Sequence, residues 1–475
     1  MKNKILKLVK YLLMFFYSLS TLFILISIFR LNVLKNSYFT LLSMFLVGIC
    51  FILNYRLIKS KRSIAKKIII IIIILLSIIN IVGIKYTQNT IKFIDNVTKI
   101  KYEKQTYSVI VLNSNYKEIS DLNDKKIGFL STNINYDKTT KKLDKKIDFK
   151  DNKYEDIGSL IAGIYNNEVD AIVIDEAYLD IIEDNHINFY NESKVIYTFS
   201  INVKTKDIVK KVDINKDPFI IYISGSDSRT GVETTARSDV NIVAVVNPKE
   251  NKILLISIPR DYYVQLHGTT GTKDKLTHAG VYGIEKSITT IEDLLDIDIN
   301  YYTKVSFNTV INVVDVIDGI DVNSDTEFKN TGLNRTACSY VVGMNHLNGQ
   351  CALAFARERH IYTTGDRHRG QNQQAVITAI VDKLSHNPKY LVKYKDILEA
   401  IDGSFVTDLT YDEITSLAKY QLSELKEWKV ESISLDGTGS MESTYSMGNI
   451  KLYVMLPDES TIETAKTKIN EYLNK

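Results

Sequence analysis

The chain has 475 residues, enough for two or three domains. Its 59 basic and 56 acidic residues leave a formal net charge of +3, so no broad basic field points to nucleic acid. The three cysteines, Cys50, Cys338 and Cys351, do not have the paired spacing of a zinc site.

Three apolar stretches open the chain, at about residues 11–29, 38–55 and 68–84. Each is close to the ~20 residues that cross a bilayer as a helix. One cleaved signal peptide cannot explain three such stretches. Lys2, Lys4, Lys7 and Lys10 precede the first, and six basic residues from Arg56 to Lys67 separate the second from the third. The loop between the first two holds only Arg30 and Lys35. The positive-inside rule therefore puts the N-terminus in the cytosol and everything after Lys85 outside the cell.

Residues 86–215 alternate strand and helix signals. YSVIVLN (107–113), KKIGFL (125–130) and DAIVID (170–175) predict buried strands, and 154–168 an amphipathic helix. This is the pattern of a small α/β accessory domain, similar to one lobe of a solute-binding protein. It holds no arginine and no evident site.

The character changes after Lys216. Lysine outnumbers arginine by 48 to 11, yet eight of the eleven arginines fall between Arg229 and Arg369. Arginine's planar fork binds two phosphate oxygens at once, which a lysine cannot copy. A strand at 218–225 enters the turn SGSDSR (224–229), and 240–246 with 252–258 predict a hairpin around 247–251. Counting outward from that turn sets Asp239 of ARSD and Arg260 of SIPRD at one end, where Asp227 joins them if the first strand ends there too. Residues 311–322 predict a helix, a turn and a strand, and LNGQCALAFA (347–356) begins as a helix. Arg357 and Arg359 face one way only on extended backbone, so that helix should end before Arg357. Residues 371–384 predict an amphipathic helix with Arg369, Gln373 and Gln374 at its start, where free amides favour an anion. The last stretch, 388–475, predicts a helix or two and a strand ending at 457. Cys338 and Cys351, outside the cell, are disulfide candidates. His278, His360 and His368 lack metal spacing and are read as surface or supporting residues.

Taken together, GxDxR followed by RSD, SIPRD, KLTHAGVYG (275–283), VDVIDGIDV (314–322), LNGxxALAFxRER and GDxxRGxNQQ resemble the LytR–CpsA–Psr family of Gram-positive cell-wall ligases over residues 218–384. The three spans and the accessory domain are most similar to its capsule-type branch. The resemblance implies an α/β fold: membrane helices (1–85), accessory domain (86–215), an α/β sandwich catalytic domain with an apolar cavity for a polyprenyl chain (216–387), and a C-terminal part of the same region (388–475). It implies a phosphotransferase that moves a glycopolymer (capsule, teichoic acid or similar) from an undecaprenyl-pyrophosphate carrier to a peptidoglycan hydroxyl. Its partners would be that lipid-linked polymer, peptidoglycan, the membrane and the polymer-synthesis machinery, without nucleic acid.

By motif, Asp227 and Asp239 would hold Mg²⁺, or Mn²⁺ in its place, and with Arg260 carry the catalysis. Arg237, Arg260, Arg357, Arg359 and Gln373 or Gln374 would hold the pyrophosphate, with Arg229 and Arg369 near by. Where many members carry a second arginine three residues after Arg369, this chain has Asn372, which leaves Asn372 in doubt as a phosphate ligand. Two alternatives stay open: a hydrolase of lipid-linked pyrophosphates, and a non-catalytic protein that binds lipid-linked polymer.

Overall fold

The computed structural model describes residues 2–98, 102–112, 115–186, 188–205, 208, 210–226, 231–332, 335–362, 365–386, 390, 393–424 and 427–474. It divides into two compact units: Met1–Thr98 with Pro388–Glu399 and Leu409–Glu427, and Lys99–Asn387 with Ala400–Asp408 and Trp428–Lys475.

The first unit holds helices Lys2–Leu31, Asn36–Lys59 and Ser63–Thr98. All three are long and apolar enough to cross a bilayer, which makes this a membrane protein. The third runs well past residue 84, to Thr98. The Asn80 amide donates to Ser20 Oγ (3.2 Å) and Thr21 Oγ1 (3.1 Å), a polar link between the first and third helices. Helix Tyr411–Glu424 belongs to this unit too, and the Tyr411 hydroxyl donates to the Arg30 carbonyl at 3.2 Å.

The second unit is built on two large sheets. One has five strands in the order Phe149–Tyr154, Lys125–Leu130, Ala171–Asp175, Tyr102–Leu112, Ser193–Lys204. Strands 149–154 and 193–204 went unread in the sequence because FKDNKY is polar and both lie at sheet edges, where apolar alternation fades. Helix Ile157–Tyr165 covers one face, started by the Asp156 carboxylate, which accepts from Ser159 N–H.

The other sheet has six strands in the order Phe405–Thr407, Tyr301–Ser306, Phe219–Ser226, Val240–Asn247, Lys252–Ile258, Lys429–Ser434. The central hairpin is as expected, with Asn241 opposite Ile258 and Asn247 opposite Lys252. The C-terminal stretch is richer than a helix or two and one strand: it supplies the edge strands 405–407 and 429–434, the hairpin Gly437–Thr444 with Gly448–Pro457, and helix Glu459–Tyr472.

Because strand residues alternate in direction, the six-stranded sheet has two distinct faces. Ile220, Tyr222, Val243, Val245, Leu254 and Ile256 pack into a closed core with helices Ile284–Leu295 and Glu459–Tyr472. On the opposite face Ile242, Ala244 and Leu255 form a smaller buried cluster, against which Ile221, Ile223, Val240, Ile253 and Ile377 pack partly buried.

The two sheets are tied by a buried ion pair. Lys304 Nζ lies 2.8 Å from Glu103 Oε1, and Ile284 N–H donates to Glu103 Oε2 at 3.3 Å. The approach needs glycine at 283, whose φ is +104°, since a Cβ there would sit 2.8 Å from that carboxylate.

Candidate functional site

The hairpin register carries Asp239 and Arg260 to one rim of the six-stranded sheet. Arg260 Nη1 donates to Asp239 Oδ1 at 2.8 Å, with both side chains mostly buried. Asp239 N–H donates to the Gly225 carbonyl, fixing the carboxylate beside the end of strand Phe219–Ser226. Asp261 braces the arginine from behind: its carboxylate lies 3.5 Å from Arg260 Nε and 2.9 Å from Lys275 Nζ. Burial pushes the Asp261 carboxyl up, but Lys275, Arg260 and Arg369 outweigh it and hold its pKa below the usual aspartate value.

Helix Gly349–Arg357 delivers the next two arginines. It ends at Arg357, one residue later than expected, and Glu358 is extended (φ −66°, ψ 130°), so Arg357 and Arg359 both reach the same cavity. Glu358 shapes this exit. Its Oε1 accepts from the N–H of Arg359 (2.9 Å) and of His360 (2.8 Å), and Asn330 donates to its Oε2 at 3.1 Å. The Arg357 guanidinium stacks 4.8 Å over the Phe307 ring, which keeps the fork aligned. Cys338 and Cys351 are joined by a disulfide, Cα atoms 5.5 Å apart, and the Cys351 carbonyl accepts from Tyr340.

Helix Asp366–His386 supplies the remaining groups, and here the sequence reading needs correction. The helix begins at Asp366 rather than near residue 371. Its free amides belong to the 366–368 turn, because Arg369 N–H is already bonded to the Gly365 carbonyl. Gly370 hid this start by interrupting the helical signal. It is needed there: a Cβ would lie 2.4 Å from Ser257 Oγ on the neighbouring strand. Arg369 and Gln373, one turn apart, line the arginine cavity. Gln374 turns away. Its amide donates to the carbonyls of Leu255 (3.0 Å) and Ile433 (2.6 Å), so it ties the helix to two strands and does not contact the anion site. Asn372 is buried and donates to the Phe355 carbonyl at 3.1 Å, which resolves its role as structural.

The result is a cavity of about 210 Å³ lined by Asp239, Arg260, Arg357, Arg359, Arg369 and Gln373. A wider one of about 590 Å³ adjoins it, sharing Arg260, Arg359 and His360 and adding Arg237, Lys275 and Lys451. Several guanidinium forks around one carboxylate suit a multiply charged anion with planar pairs of oxygens. Asp227 and Arg229 lie outside the described residues. Among those described, no three His, Cys, Asp or Glu cluster as a metal cage. The hard oxygens of Asp239 beside a phosphate-sized arginine cavity do fit Mg²⁺, which takes one or two carboxylates and fills its shell with water and phosphate oxygens.

The histidines are supporting residues in varied ways. His278 is buried, its Nδ1 2.7 Å from Asp274 and 3.0 Å from Ser446 Oγ. His368 stacks on Tyr362 with centroids 3.4 Å apart. His360 borders both cavities. Asp261, Lys275 and Phe307 had no assigned role in the sequence reading. The first two stood inside quoted motifs, whereas nothing in the sequence marks Phe307.

Comparison with known proteins follows the same residues. The LytR_cpsA_psr family matches residues 186–469. The chain is 33% identical over 274 residues to the polyisoprenyl-teichoic acid–peptidoglycan teichoic acid transferase TagU of Bacillus subtilis (strain 168), covering 57% of this chain and 84% of that one. It is 32% identical over 263 residues to the protein of the same name from Enterococcus faecalis, covering 55% and 81%. The crystal structure of B. subtilis TagV overlaps 55% of this chain and 98% of its own, at 30% identity and a TM-score of 0.45.

Proposed function

The chain belongs to the LytR_cpsA_psr family, and from that premise we propose that it is a phosphotransferase that moves a glycopolymer from a polyprenyl-pyrophosphate carrier to a hydroxyl of peptidoglycan. The observation that carries this reading is the cavity where Arg260, Arg357, Arg359 and Arg369 surround Asp239. The names of the relatives, teichoic acid transferases acting between a polyisoprenyl carrier and peptidoglycan, agree with it.

In this reading the arginine forks hold the pyrophosphate and neutralise the charge that grows on the equatorial and leaving oxygens as phosphorus is attacked. Arg260 is the central clamp, kept rigid by Asp239 in front and Asp261 behind. Arg237, in the adjoining cavity, extends the anion site, and the motif match adds Arg229 to the same role. Asp239, with Asp227 of the same motif, would hold Mg²⁺, which would supply further charge neutralisation at the phosphate oxygens. The sheet face of the partly buried Ile221, Ile223, Val240 and Ile377 takes the polyprenyl tail, where each buried CH₂ is worth ~0.8 kcal/mol. The lysine-rich first segment and second loop set the N-terminus in the cytosol and the sheets outside.

The test is direct. Full-length protein in detergent is incubated with lipid-linked polymer, peptidoglycan fragments and Mg²⁺. A phosphodiester-linked conjugate is expected. Release of free polymer phosphate without conjugate would make the protein a hydrolase, and intact lipid-linked polymer would make it a binding protein. A chelator should abolish the conjugate, and full yield in its presence would remove the metal.

A further inference from the structure

A second cavity, of about 350 Å³, lies within the second unit, where the five-stranded sheet meets helix Ile284–Leu295. Gln105, Asn135 and Asp175 line it from the sheet side, and Tyr282, Glu285 and Lys286 from the other. Gln105, Asn135 and Asp175 precede the family match at 186–469, whereas Tyr282, Glu285 and Lys286 fall inside it.

Its polar groups are buried yet incompletely bonded. Gln105 is 8% exposed, and its Oε1 accepts from the Tyr107 hydroxyl (3.0 Å) and the Asn135 amide (2.9 Å). The acceptor is thereby used, while the Gln105 Nε2 donors have no hydrogen bond among the described residues. Asn135 is 7% exposed, and its Oδ1 acceptor is in the same position. These unused positions belong to side chains that line the cavity, so whatever fills it meets a donor and an acceptor side by side. Asp175 adds a third group. One oxygen takes the Ala177 N–H at 3.0 Å, and burial pushes the carboxyl up to about 7 despite that bond, so near neutrality it both donates and accepts.

Charge and shape narrow the ligand. Glu103 is already matched by Lys304, and Lys286 offsets Glu285, which leaves Lys204 beside the raised Asp175. No arginine among the described residues lines the cavity, so its walls lack the paired forks that clamp a multiply charged anion in the arginine cavity. Tyr107, Tyr178 and Tyr282 present aromatic surface, the last two in an edge-on pair with centroids 6.1 Å apart. Neighbouring donors and acceptors on planar amides match adjacent hydroxyls, and aromatic rings match the C–H face of a sugar ring. The volume is at the small end of ligand pockets.

We propose that this cavity is a saccharide site, taking one or two neutral sugar residues through Gln105, Asn135 and Asp175 with Tyr282 against the ring. It stands apart from the transferase reading, since its contacts include none of the rim arginines.

The experiment is isothermal titration of the full-length protein in a zwitterionic detergent that carries no sugar. The probes are glucose, galactose, N-acetylglucosamine and N-acetylmannosamine, with inorganic phosphate as contrast. At least one sugar should bind saturably. Gln105→Glu keeps the acceptor that Tyr107 and Asn135 use and removes the donor, and should weaken binding about tenfold, the measure of one lost hydrogen bond. Thr132→Phe, which fills the cavity from its partly exposed wall, should abolish binding with the melting temperature unchanged, and Arg260→Lys should leave it as it was. No sugar binding at millimolar concentration would overturn the proposal. So would sugar binding indifferent to both Gln105→Glu and Thr132→Phe, or phosphate binding that Gln105→Glu removes.

Discussion

Two polar cavities of the second unit, the arginine cavity at the sheet rim and the one under the five-stranded sheet, solve opposite problems with different residues. The rim cavity gathers Arg260, Arg357, Arg359 and Arg369 around a single carboxylate, with Arg260 braced by two aspartates and Arg357 by the Phe307 ring. The cavity under the five-stranded sheet has no guanidinium among its described residues and relies on amides, tyrosines and one buried acid. Residues 102–204 contain many lysines and no arginine. The contrast teaches that net charge says little about either site. A chain of +3 overall can build one strongly cationic site by gathering four of its eleven arginines in one place.

The contrast breaks most visibly at Arg260. If fork geometry is what counts, Arg260→Ala should lower kcat/KM of conjugate formation by roughly a thousandfold and Arg260→Lys by about thirtyfold, although lysine keeps the charge. Near-normal turnover in the lysine variant would reduce the rim to a patch of positive potential.

Next in size is the covalent brace of the rim. Reducing the Cys338–Cys351 bridge, or replacing both with serine, should cost up to about 3 kcal/mol of stability by the loop-closure estimate. Mass spectrometry of the unreduced protein should find neither thiol alkylatable.

The sheet-side cavity should show its acid in a pH profile. In the folded protein Asp175 holds its proton to about pH 7, whereas in the unfolded chain it releases it near the ordinary value of 3.8. A group with a raised folded pKa takes up a proton on folding, so stability falls as pH rises from about 4 to about 7. Asp175→Asn should therefore match the parent at pH 4 and exceed it by on the order of 2 kcal/mol at pH 8. Parallel denaturation curves for the two proteins from pH 4 to 8 would show that Asp175 titrates normally.

The smallest effect is at Phe307. Phe307→Leu removes the ring under Arg357 and leaves an apolar surface, and should weaken substrate binding by about 0.5–1 kcal/mol, read as a KM a few times higher at unchanged kcat. An equal change on Arg357→Gln in the Phe307→Leu background would show that the two residues do not act together.

How much of this could be read beforehand depended on the kind of order involved. The meeting of Asp239 with Arg260 follows from counting along two strands away from one turn, because a two-residue period leaves no freedom. The opposite fates of Gln373 and Gln374 could not be counted in that way. They depend on where the helix starts, and its start depends on a close passage of Gly370 over Ser257 that is set by tertiary packing. Edge strands were equally silent: KVESIS at 429–434 shows weak alternation, and its pairing with Lys252–Ile258 spans a long stretch of chain. The cavity under the five-stranded sheet was missed for another reason. Gln105 and Asn135 are ordinary residues in sequence and acquire meaning only through what they leave unbonded.

That last strand bears on how the protein is made. Lys429–Ser434 closes the sheet beside Lys252–Ile258, so a nascent chain carries one edge of its hairpin unpaired while the intervening residues are synthesised. Pairings of such sequence separation form late and slowly. Until then the backbone groups of Lys252–Ile258 are a template for any other extended segment. Chaperones that shield extended chains should therefore govern its yield, and truncation before residue 429 should send the protein to aggregation or proteolysis rather than to a smaller folded one.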